Sequence, residues 1–563
     1  GHLTIEYKSP DRLANPQNVR RAVNQISGYL LDEAREAGDF AKDALPRRAG
    51  VILDGHRLVF VRFRPGGTRR IPDEILAHTI GQGVLFPETL RRGYFETVGP
   101  FPVNEESVTT LLVYFRALSR RLLSPDALRE VFGPDRDLAR QCVAELYNAL
   151  RQPQDPRVET FFSEWERLFG IVYGQYFDRA EADAAALAKH YGLGDQAELK
   201  QLLFAVHTYF ALLMKLLAVE LLSLQTGSLI ASFSSELHSL SSEEARTRMA
   251  GLENGHDFAH AGIHNFLEAD FLGWYLDAWN DDLKRAIQSL AFALCEFEPA
   301  TASLAPDATR DLLKKLYQYL VPREVRHNLG EYYTPDWLAE RTLLTSGYDG
   351  SLDKRLLDPG CGSGTFLTLA LRKAIEKNEL AFRTDPRGAV EKLTSNIVGF
   401  DLNPLAVIAA RTNYLLALGD LVRRGRPLQI PVYLCDSVLT PTEHVEEIGG
   451  MFNERHSRGH LIPTTQGTFL IPPEFTTSED MAFLAQCVEE CVRGDFTVEE
   501  FLARVSPRKP DLPKPSKCAL RDLFIRLREL HREKRNGVWA RYLKNAFAPA
   551  LYKEQCDFVV GNP

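Results

Sequence analysis

The spacing of apolar positions changes twice along the chain and divides it into three stretches. In residues 1–100, short apolar runs of strand length stand on either side of one helical stretch. Over 101–325, apolar residues recur every three or four positions, which is typical of helices. Over 326–563, short apolar runs alternate with helical stretches, as in a parallel, doubly wound sheet. The pattern therefore predicts a small α/β domain, a helical connector domain and a second α/β domain.

The first stretch contains a strong hairpin signal. The dipeptide Asp54-Gly55 lies between two apolar runs and favours a tight turn between two strands. The predicted elements are a strand at 3–8, a helix at 18–35 and strands at 49–53 and 58–61.

The middle stretch is predicted to be helical. The predicted helices span 109–123, 138–150, 161–169, 199–224 and 283–297. Its most apolar segment, 202–222, is long enough to cross a bilayer. His207, Lys215 and Glu220 interrupt it, and such side chains are costly in lipid. We therefore predict a helix that is buried in protein.

The third stretch alternates strands with helices. The predicted strands are 356–358, 397–401, 431–436 and 558–560, and the predicted helices are 366–376 and 406–418. A segment rich in proline and lysine, 506–517, is predicted to be a surface loop that interrupts this domain.

The overall charge argues weakly against a surface built to bind nucleic acid. The formal net charge is −8 and the sequence pI is about 6.0, whereas domains that bind DNA over a broad surface are usually basic. Between 504 and 544, however, Lys and Arg number thirteen against four acids. Phosphate contacts are predicted there, although a solvated helix face explains the charges equally well. The residues concerned are Arg521, Arg526, Arg528, Arg532, Lys534, Arg535, Arg541 and Lys544.

Cysteine usage indicates a reducing compartment. The eight cysteines are scattered and form no CxxC pair, which argues against a zinc site and a disulfide framework. The first residues, GHLTIE, lack the basic and apolar segments of a signal peptide. We therefore expect a soluble, cytoplasmic protein.

The densest chemical signal is the segment DPGCGSGTF at 358–366, between a predicted strand and a predicted helix. Glycines allow a tight turn and a close approach of the backbone to a ligand at the carboxyl end of a strand. No Lys-Ser or Lys-Thr follows the glycines, which disfavours a nucleoside-triphosphate loop. An NAD-binding loop remains an alternative on this segment alone.

Further polar residues follow the next predicted strands. Asp401 ends the second strand, where a carboxylate can accept both ribose hydroxyls of an adenosine. Asp436 ends the third strand, where it can accept the adenine amino group, although a turn or a helix cap explains it equally well. Asn562-Pro563 follows the fourth strand.

This series resembles the motifs of the gamma-class N6-adenine DNA methyltransferases. Their sequences run DPxCGxGxF, two acidic strand ends and then NPP followed by an aromatic residue, and 358–366 matches the first motif throughout. GEYYTP at 330–335 is similar to the family's GxxYTP segment, which holds the methionine end of the cofactor. WARYLKN at 539–545 resembles a segment of large methyltransferases from phage-defence and restriction systems. The resemblance covers about 326–563.

The resemblance implies a class I (Rossmann-like) methyltransferase core that binds S-adenosylmethionine. The cofactor-binding residues that it assigns are Tyr333, Thr334, Pro335, Asp358, Pro359, Gly360, Cys361, Gly362, Gly364, Phe366, Asp401 and Asp436. Thr334 is also consistent with a helix start that has Pro335 at its first position.

The catalytic motif that the resemblance assigns is Asn562-Pro563. In the family, the Asn side-chain oxygen and the Pro carbonyl accept hydrogen bonds from the adenine amine, which favours its attack on the methyl group. The aromatic residue that stacks on the flipped base follows this motif at the second position after the proline. We therefore expect a core that is truncated at the motif and a chain that does not methylate DNA by itself.

The first stretch resembles the PD-(D/E)xK nuclease fold. Glu6-Tyr7-Lys8 at a strand end is similar to its ExK motif, and Gln25 with Tyr29 to its QxxxY pair. In that family the acid binds Mg²⁺, the lysine polarises water or the scissile phosphate, and a further Asp lies upstream. Glu6 is therefore the predicted metal ligand with Lys8 as its partner, in a domain that is expected to be truncated or degenerate.

The predicted domains are 1–100 (nuclease-like), 101–325 (helical connector) and 326–563 (methyltransferase). We predict part of a bacterial DNA adenine-N6 methyltransferase of a restriction-modification or phage-defence system, of Type IIG or IIL or similar to BREX or DISARM enzymes. Its expected partners are double-stranded DNA and other subunits of a defence system. The alternatives are an enzyme whose main activity is cleavage, and a degenerate subunit that binds cofactor or DNA without chemistry.

Overall fold

A computed structural model gives the fold of the chain. It describes residues 2–36, 45, 48–76, 78, 92–104, 107–108, 111, 120–152, 155–173, 181–193, 197–225, 233–238, 240–267, 271–299, 315–316, 321, 334–419, 421–425, 427–438, 443–448, 455–475, 477–533 and 539–562. The chain divides into two compact units. The first comprises Gly1–Leu123 with Gly227–Ser232 and Glu296–Leu304, and the second comprises the remainder. The division into two units does not test the bounds of the three predicted domains, which stay a prediction.

The first unit contains a four-stranded sheet in the order β1-β2-β3-β4. Its elements are β1 (His2–Tyr7), α1 (Pro16–Arg35), β2 (Arg48–Leu53), β3 (Arg57–Arg70), α2 (Asp73–Leu76), β4 (Arg92–Pro102), β5 (Arg121–Leu122) and β6 (Phe297–Glu298). β1 is parallel to β2, and β2, β3 and β4 pair antiparallel. The predicted strand, helix and hairpin are therefore confirmed.

Helix α1 covers one face of this sheet. Ile26 on α1 packs with Ile52, Val59 and Val61 in one buried cluster. A Cβ at Gly50 would lie 2.7 Å from Ile26 Cδ1, so a larger residue there would make the Ile26 side chain shift. Helix α1 therefore packs closely against β2 and β3, which fixes its position relative to the end of β1.

The helical part of the second unit is built around one long buried helix. Its helices are α3 (Pro125–Phe132), α4 (Asp137–Arg151), α5 (Pro156–Tyr173), α6 (Glu181–Tyr191), α7 (Leu199–Gln225), α8 (Phe233–His238), α9 (Ser242–Glu253), α10 (His256–His260) and α11 (Asp281–Leu294). By length and hydropathy α7 could cross a membrane, but its window Leu199–Leu222 is wholly buried inside the protein. The prediction of a helix buried in protein is confirmed.

The rest of the second unit contains a parallel sheet. Its elements are α12 (Asp336–Thr345), β7 (Leu356–Asp358), α13 (Thr365–Lys377), α14 (Glu379–Thr384), α15 (Pro386–Asn396), β8 (Ile397–Asp401), α16 (Pro404–Leu418), α17 (Leu421–Arg424), β9 (Val432–Leu434) and β13 (Phe558–Val559). The strand order is β13-β7-β8-β9, and every pair is parallel. All four predicted strands and their parallel arrangement are confirmed.

A large insertion separates β9 from β13. It comprises an antiparallel sheet of β10 (Glu443–Ile448), β11 (Arg455–Thr464) and β12 (Gly467–Ile471), followed by α18 (Ser478–Arg493), α19 (Val498–Val505), α20 (Lys514–Arg532), α21 (Trp539–Ala546) and α22 (Ala548–Leu551). The sequence pattern did not predict this sheet. The loop predicted at 506–517 is wrong in its last four residues, because α20 begins at Lys514 with Pro515 in its first turn, where proline is tolerated.

Two predicted helices are also wrong at their carboxyl ends. Helix α11 ends at Leu294, and Phe297 lies in β6 instead of the helix. Arg121–Leu122, at the end of the helix predicted for 109–123, forms β5 and pairs parallel with β6. This long-range pairing overrides the local helical spacing. Most of 109–119 lies outside the described residues.

Candidate functional site

The strand order brings the first and last motifs of the parallel sheet together. β13 lies beside β7, and the Val560 amide donates to Leu357 O at 2.9 Å. A Cβ at Gly561 would lie 2.9 Å from Asp358 Oδ1, so only glycine fits there without a shift. Asn562, which is exposed, therefore follows directly beside the glycine loop that β7 leads into.

The glycine loop is held by its own backbone and by β8. The Cys361 amide donates to Phe400 O, and the Gly364 amide to Cys361 O, both at 2.8 Å. Gly362 and Gly364 have φ values of 53° and 85°, which side-chain-bearing residues rarely adopt. A Cβ at Gly362 would meet no atom within 4 Å, so the loop is open to solvent on that side. The backbone can thus contact a ligand directly, as a cofactor loop requires.

Asp401 joins the glycine loop to the end of β8. Its Oδ2 accepts from the Gly362 amide and its Oδ1 from the Asn403 amide, both at 2.8 Å. Burial raises the pKa of this carboxyl, while these backbone hydrogen bonds act against the increase. The structure therefore places two predicted ligands, Gly362 and Asp401, in direct contact.

The Asp358 carboxyl is buried next to the glycine loop. Its side chain is 1% exposed, Oδ1 accepts from the Gly360 amide at 3.3 Å, and Oδ2 is buried with no hydrogen-bond partner among the described residues. Burial, and secondarily the negative charge of Asp401, raises the pKa of Asp358 to about 8. A cationic ligand beside this carboxyl would favour its ionised form and lower its pKa.

The raised pKa of Asp358 gives a stability prediction. The fold favours the protonated form of the Asp358 carboxyl. The contribution of this group to the free energy of unfolding is therefore fully present below about pH 4 and is lost as the pH rises through about 8. Between pH 5 and pH 8 the wild type should lose about 2–4 kcal/mol more unfolding free energy than Asp358→Asn, which does not titrate. Urea unfolding at both pH values measures this difference. Equal losses in the two proteins would contradict the assignment.

Asp436 and Thr334 are less clearly placed. Asp436 lies just beyond β9, is half-buried, and accepts from the Val438 amide at 2.8 Å, which is a turn contact. Thr334 and Pro335 precede α12, which begins one residue after the proline. Tyr333 and Pro563 lie outside the described residues. The cofactor roles of Asp436, Thr334 and Pro335 stay predictions.

Several predicted phosphate-binding residues make contacts within the protein. Arg526 donates to Gln466 O at 3.2 Å, Arg528 to Phe496 O at 3.2 Å, and Arg532 pairs with Asp495 at 2.9 Å. Lys544 is buried. Lys534 and Arg535 lie outside the described residues. The arginines therefore fasten α20 to its neighbours, and a role at DNA phosphates stays a prediction.

The nuclease-like residues of the first unit form a hydrogen-bonded chain. Lys8 Nζ donates to Glu6 Oε1 at 2.5 Å and to Gln25 Oε1 at 3.0 Å, and Gln25 Nε2 donates to Tyr29 OH at 2.6 Å. Glu6 Oε2 is buried without a hydrogen-bond partner among the described residues. Within the described part of the chain, no group of three or more His, Cys, Asp or Glu side chains could hold a metal ion. Glu6 thus stays a predicted metal ligand, and the described residues around it do not complete a Mg²⁺ site.

Sequence reasoning missed residues that support the site from behind. Asn413 on α16 donates to Ser363 O at 2.8 Å and so holds the backbone of the glycine loop. Arg411, two residues earlier on the same helix, is 1% exposed and donates to Val432 O of β9. A fully buried arginine in an apolar helix was the available signal, because such a charge must be satisfied by specific acceptors.

One region of the chain matches a known protein family. No curated protein matches the chain. Among solved structures, a cryo-EM structure of a DrdV–DNA complex matches with 14% sequence identity and a TM-score of 0.26. The match covers 72% of this chain. It covers only 32% of the protein chain in the DrdV–DNA complex, so the present chain spans about a third of that length. Residues 308–423, which contain the glycine loop and Asp401, match the sequence profile of the N-6 DNA Methylase family.

Proposed function

We propose that the chain is the cofactor-binding part of a DNA adenine-N6 methyltransferase that uses S-adenosylmethionine, in a restriction-modification or phage-defence system. The observation that carries the proposal is the meeting of Asp358, Asp401 and Asn562 at the carboxyl edge of one parallel sheet. The family match over 308–423 supports the same function.

The carboxyl edge of the sheet could contact the ribose, the amino-acid part and the cationic groups of S-adenosylmethionine. The Asp401 carboxylate would accept the ribose hydroxyls, and the open backbone at Gly362 would lie against the amino-acid part of the cofactor. S-adenosylmethionine carries an ammonium and a sulfonium cation, which the unpaired oxygen of Asp358 would stabilise. When bound, the cofactor supplies an electrophilic methyl group.

Asn562 would act on the acceptor amine. The exocyclic amine of adenine is a poor nucleophile, because its lone pair is delocalised into the ring. An oxygen acceptor at Asn562 would orient the amine and stabilise the positive charge that develops on it. The backbone hydrogen bond from the Val560 amide to Leu357 O fixes the chain two residues earlier, so Asn562 lies next to the glycine loop.

The methylation activity can be tested in cells. Because the chain alone is expected not to methylate DNA, the whole gene that contains this coding sequence, including any codons after Pro563, is expressed in a host that lacks adenine methylation. N6-methyladenine is then read in the genome. We expect methylation at a defined sequence that falls by about 10²–10³-fold in Asn562→Ala, as when one preorganised catalytic hydrogen-bonding group is removed.

The matched control is Asn396→Ala, which removes an Asn at the amino edge of the same sheet. It should leave methylation unchanged. Methylation that survives Asn562→Ala, or methyl groups found only on cytosine, would contradict the proposal. Calorimetric titration with NAD⁺ addresses the alternative use of a glycine loop, and preferential NAD⁺ binding would favour that alternative.

A second candidate function is DNA cleavage by the first unit. The chain of contacts from Glu6 through Lys8 and Gln25 to Tyr29 favours it. Because the described residues do not complete a metal site, we derive no cleavage step. If the candidate is right, nicking of plasmid DNA in Mg²⁺ is lost in both Glu6→Ala and Lys8→Ala. Absence of nicking by the wild type in Mg²⁺ and Mn²⁺ would exclude it.

A further inference from the structure

Strand β9 forms the edge of the parallel sheet, and its inner side pairs with β8. The Gly399 amide donates to Pro431 O and the Cys435 amide to Asp401 O, both at 2.9 Å. Backbone groups alternate in direction along a strand, so those of Ile430, Val432 and Leu434 face away from β8. An edge of this kind needs other hydrogen-bond partners when it is buried.

Three buried side chains supply partners on that outer side. Asn265 exchanges two hydrogen bonds with the backbone of Ile430, at 2.8 and 2.7 Å. Arg411 Nε donates to Val432 O at 2.9 Å, and Asn545 Oδ1 accepts from the Leu434 amide at 3.3 Å. All three side chains are at most 1% exposed. Together they replace a neighbouring strand, one residue for each outward-facing position.

Arg411 also links these partners to one another. Its Nη2 donates to Asn545 Oδ1 at 3.1 Å and its Nη1 to Phe266 O at 3.0 Å. The guanidinium thus joins α16, α21 and the 262–267 segment along the outer side of β9. Removal of one member would leave a buried donor unpaired at this point.

The end of β9 is also where the predicted adenosine ligands lie. Leu434 is in register with Asp401, and Asp436 follows two residues later. Movement of the Leu434 backbone would therefore shift Asp436 relative to Asp401. Such a shift would change the distance between Asp436 and an adenine whose ribose is bound at Asp401.

We infer that Arg411 and Asn545 are positioning residues that hold the end of β9 so that Asp436 recognises the adenine amino group of the cofactor. This inference rests on the proposed function. Neither residue needs to touch the cofactor, because each acts through the backbone of Val432 or Leu434.

The test compares two ligands in calorimetric titrations of the full chain: S-adenosylmethionine and its analogue with hypoxanthine in place of adenine. The analogue lacks the amino group that Asp436 would accept. The wild type should prefer the adenine form, and Asn545→Ala should reduce the ratio of the two dissociation constants by about fivefold to tenfold, a usual size for indirect coupling. Asn545→Asp keeps an oxygen at this place and should retain most of the ratio.

Asn396→Ala is the matched control. Asn396 Oδ1 also accepts from an arginine, Arg355, at 3.3 Å, but this pair lies at the amino ends of the strands, away from Asp401 and Asp436. It should leave the ratio unchanged. Equal weakening of both ligands by Asn545→Ala, or an unchanged ratio, would overturn the inference while the proposed function stands. If Asn545→Ala does not fold, Arg411→Lys gives the same comparison. Absence of saturable binding to the wild type would overturn the proposed function itself.

Discussion

Replacement of Asp401 by alanine is expected to weaken the binding of S-adenosylmethionine by about 100-fold. Each hydrogen bond to a charged group contributes ~1.5–3 kcal/mol, and the carboxylate would accept two ribose hydroxyls. Asp401 also accepts from the Gly362 amide, so its removal frees the glycine loop. Calorimetric titration of both proteins measures the change in dissociation constant.

Two further variants make this result specific. Asp401→Asn keeps one oxygen for the Gly362 amide and should lie between the wild type and Asp401→Ala. Asp353→Ala removes an exposed carboxylate that pairs with Lys392 before β7, and it should not change binding. Equal affinities for the wild type and Asp401→Ala would remove the ribose contact from the account.

Replacement of Lys215 by methionine is expected to lower the free energy of unfolding by about 3–5 kcal/mol, because it leaves a buried carboxylate without its partner. Lys215 is fully buried on α7, and its Nζ donates to both oxygens of Glu253, at 2.9 and 2.7 Å. The Tyr275 hydroxyl also donates to Glu253, at 2.7 Å. Chemical denaturation measures the loss.

A second substitution separates the cost of an unpaired charge from the value of the pair. In Lys215→Met/Glu253→Leu both charges are absent, so most of the lost stability should return. The exposed pair of Lys392 and Asp353 is the control, and Lys392→Met should leave the free energy of unfolding nearly unchanged. A double variant as unstable as Lys215→Met would show that packing, and not charge, causes the loss.

The strands and glycine loop of the parallel sheet could be predicted from the sequence. Their signals are local: an apolar run, a turn that needs glycine, and an acid where the strand ends. The contact between Gly362 and Asp401 also follows, because the carboxyl ends of neighbouring parallel strands meet at one edge.

The support of that edge could not be predicted. Asn265 and Asn545 are 280 residues apart in sequence. Asn265 nevertheless contacts the backbone of Ile430, two residues before β9, and Asn545 that of Leu434 at the end of β9. Neither lies in a pattern that marks a strand partner, since a side chain that replaces a strand leaves no periodic signal. The sheet β10-β11-β12 was missed because β10 (EHVEEI) and most of β11 (RHSRGHLIPT) are polar and lack the apolar run by which the other strands were predicted. Local spacing likewise extended α11 past Leu294, where the pairing of β5 with β6 ends it.

The central claim is that the carboxyl edge of the parallel sheet binds S-adenosylmethionine. Hydrogen exchange of backbone amides, read by mass spectrometry with and without the cofactor, tests it most directly. We expect slower exchange at 358–366 and 401–403 on addition of S-adenosylmethionine, and no change at the amino edge around Asn396. Unchanged exchange at the glycine loop, or protection only elsewhere in the chain, would contradict the claim.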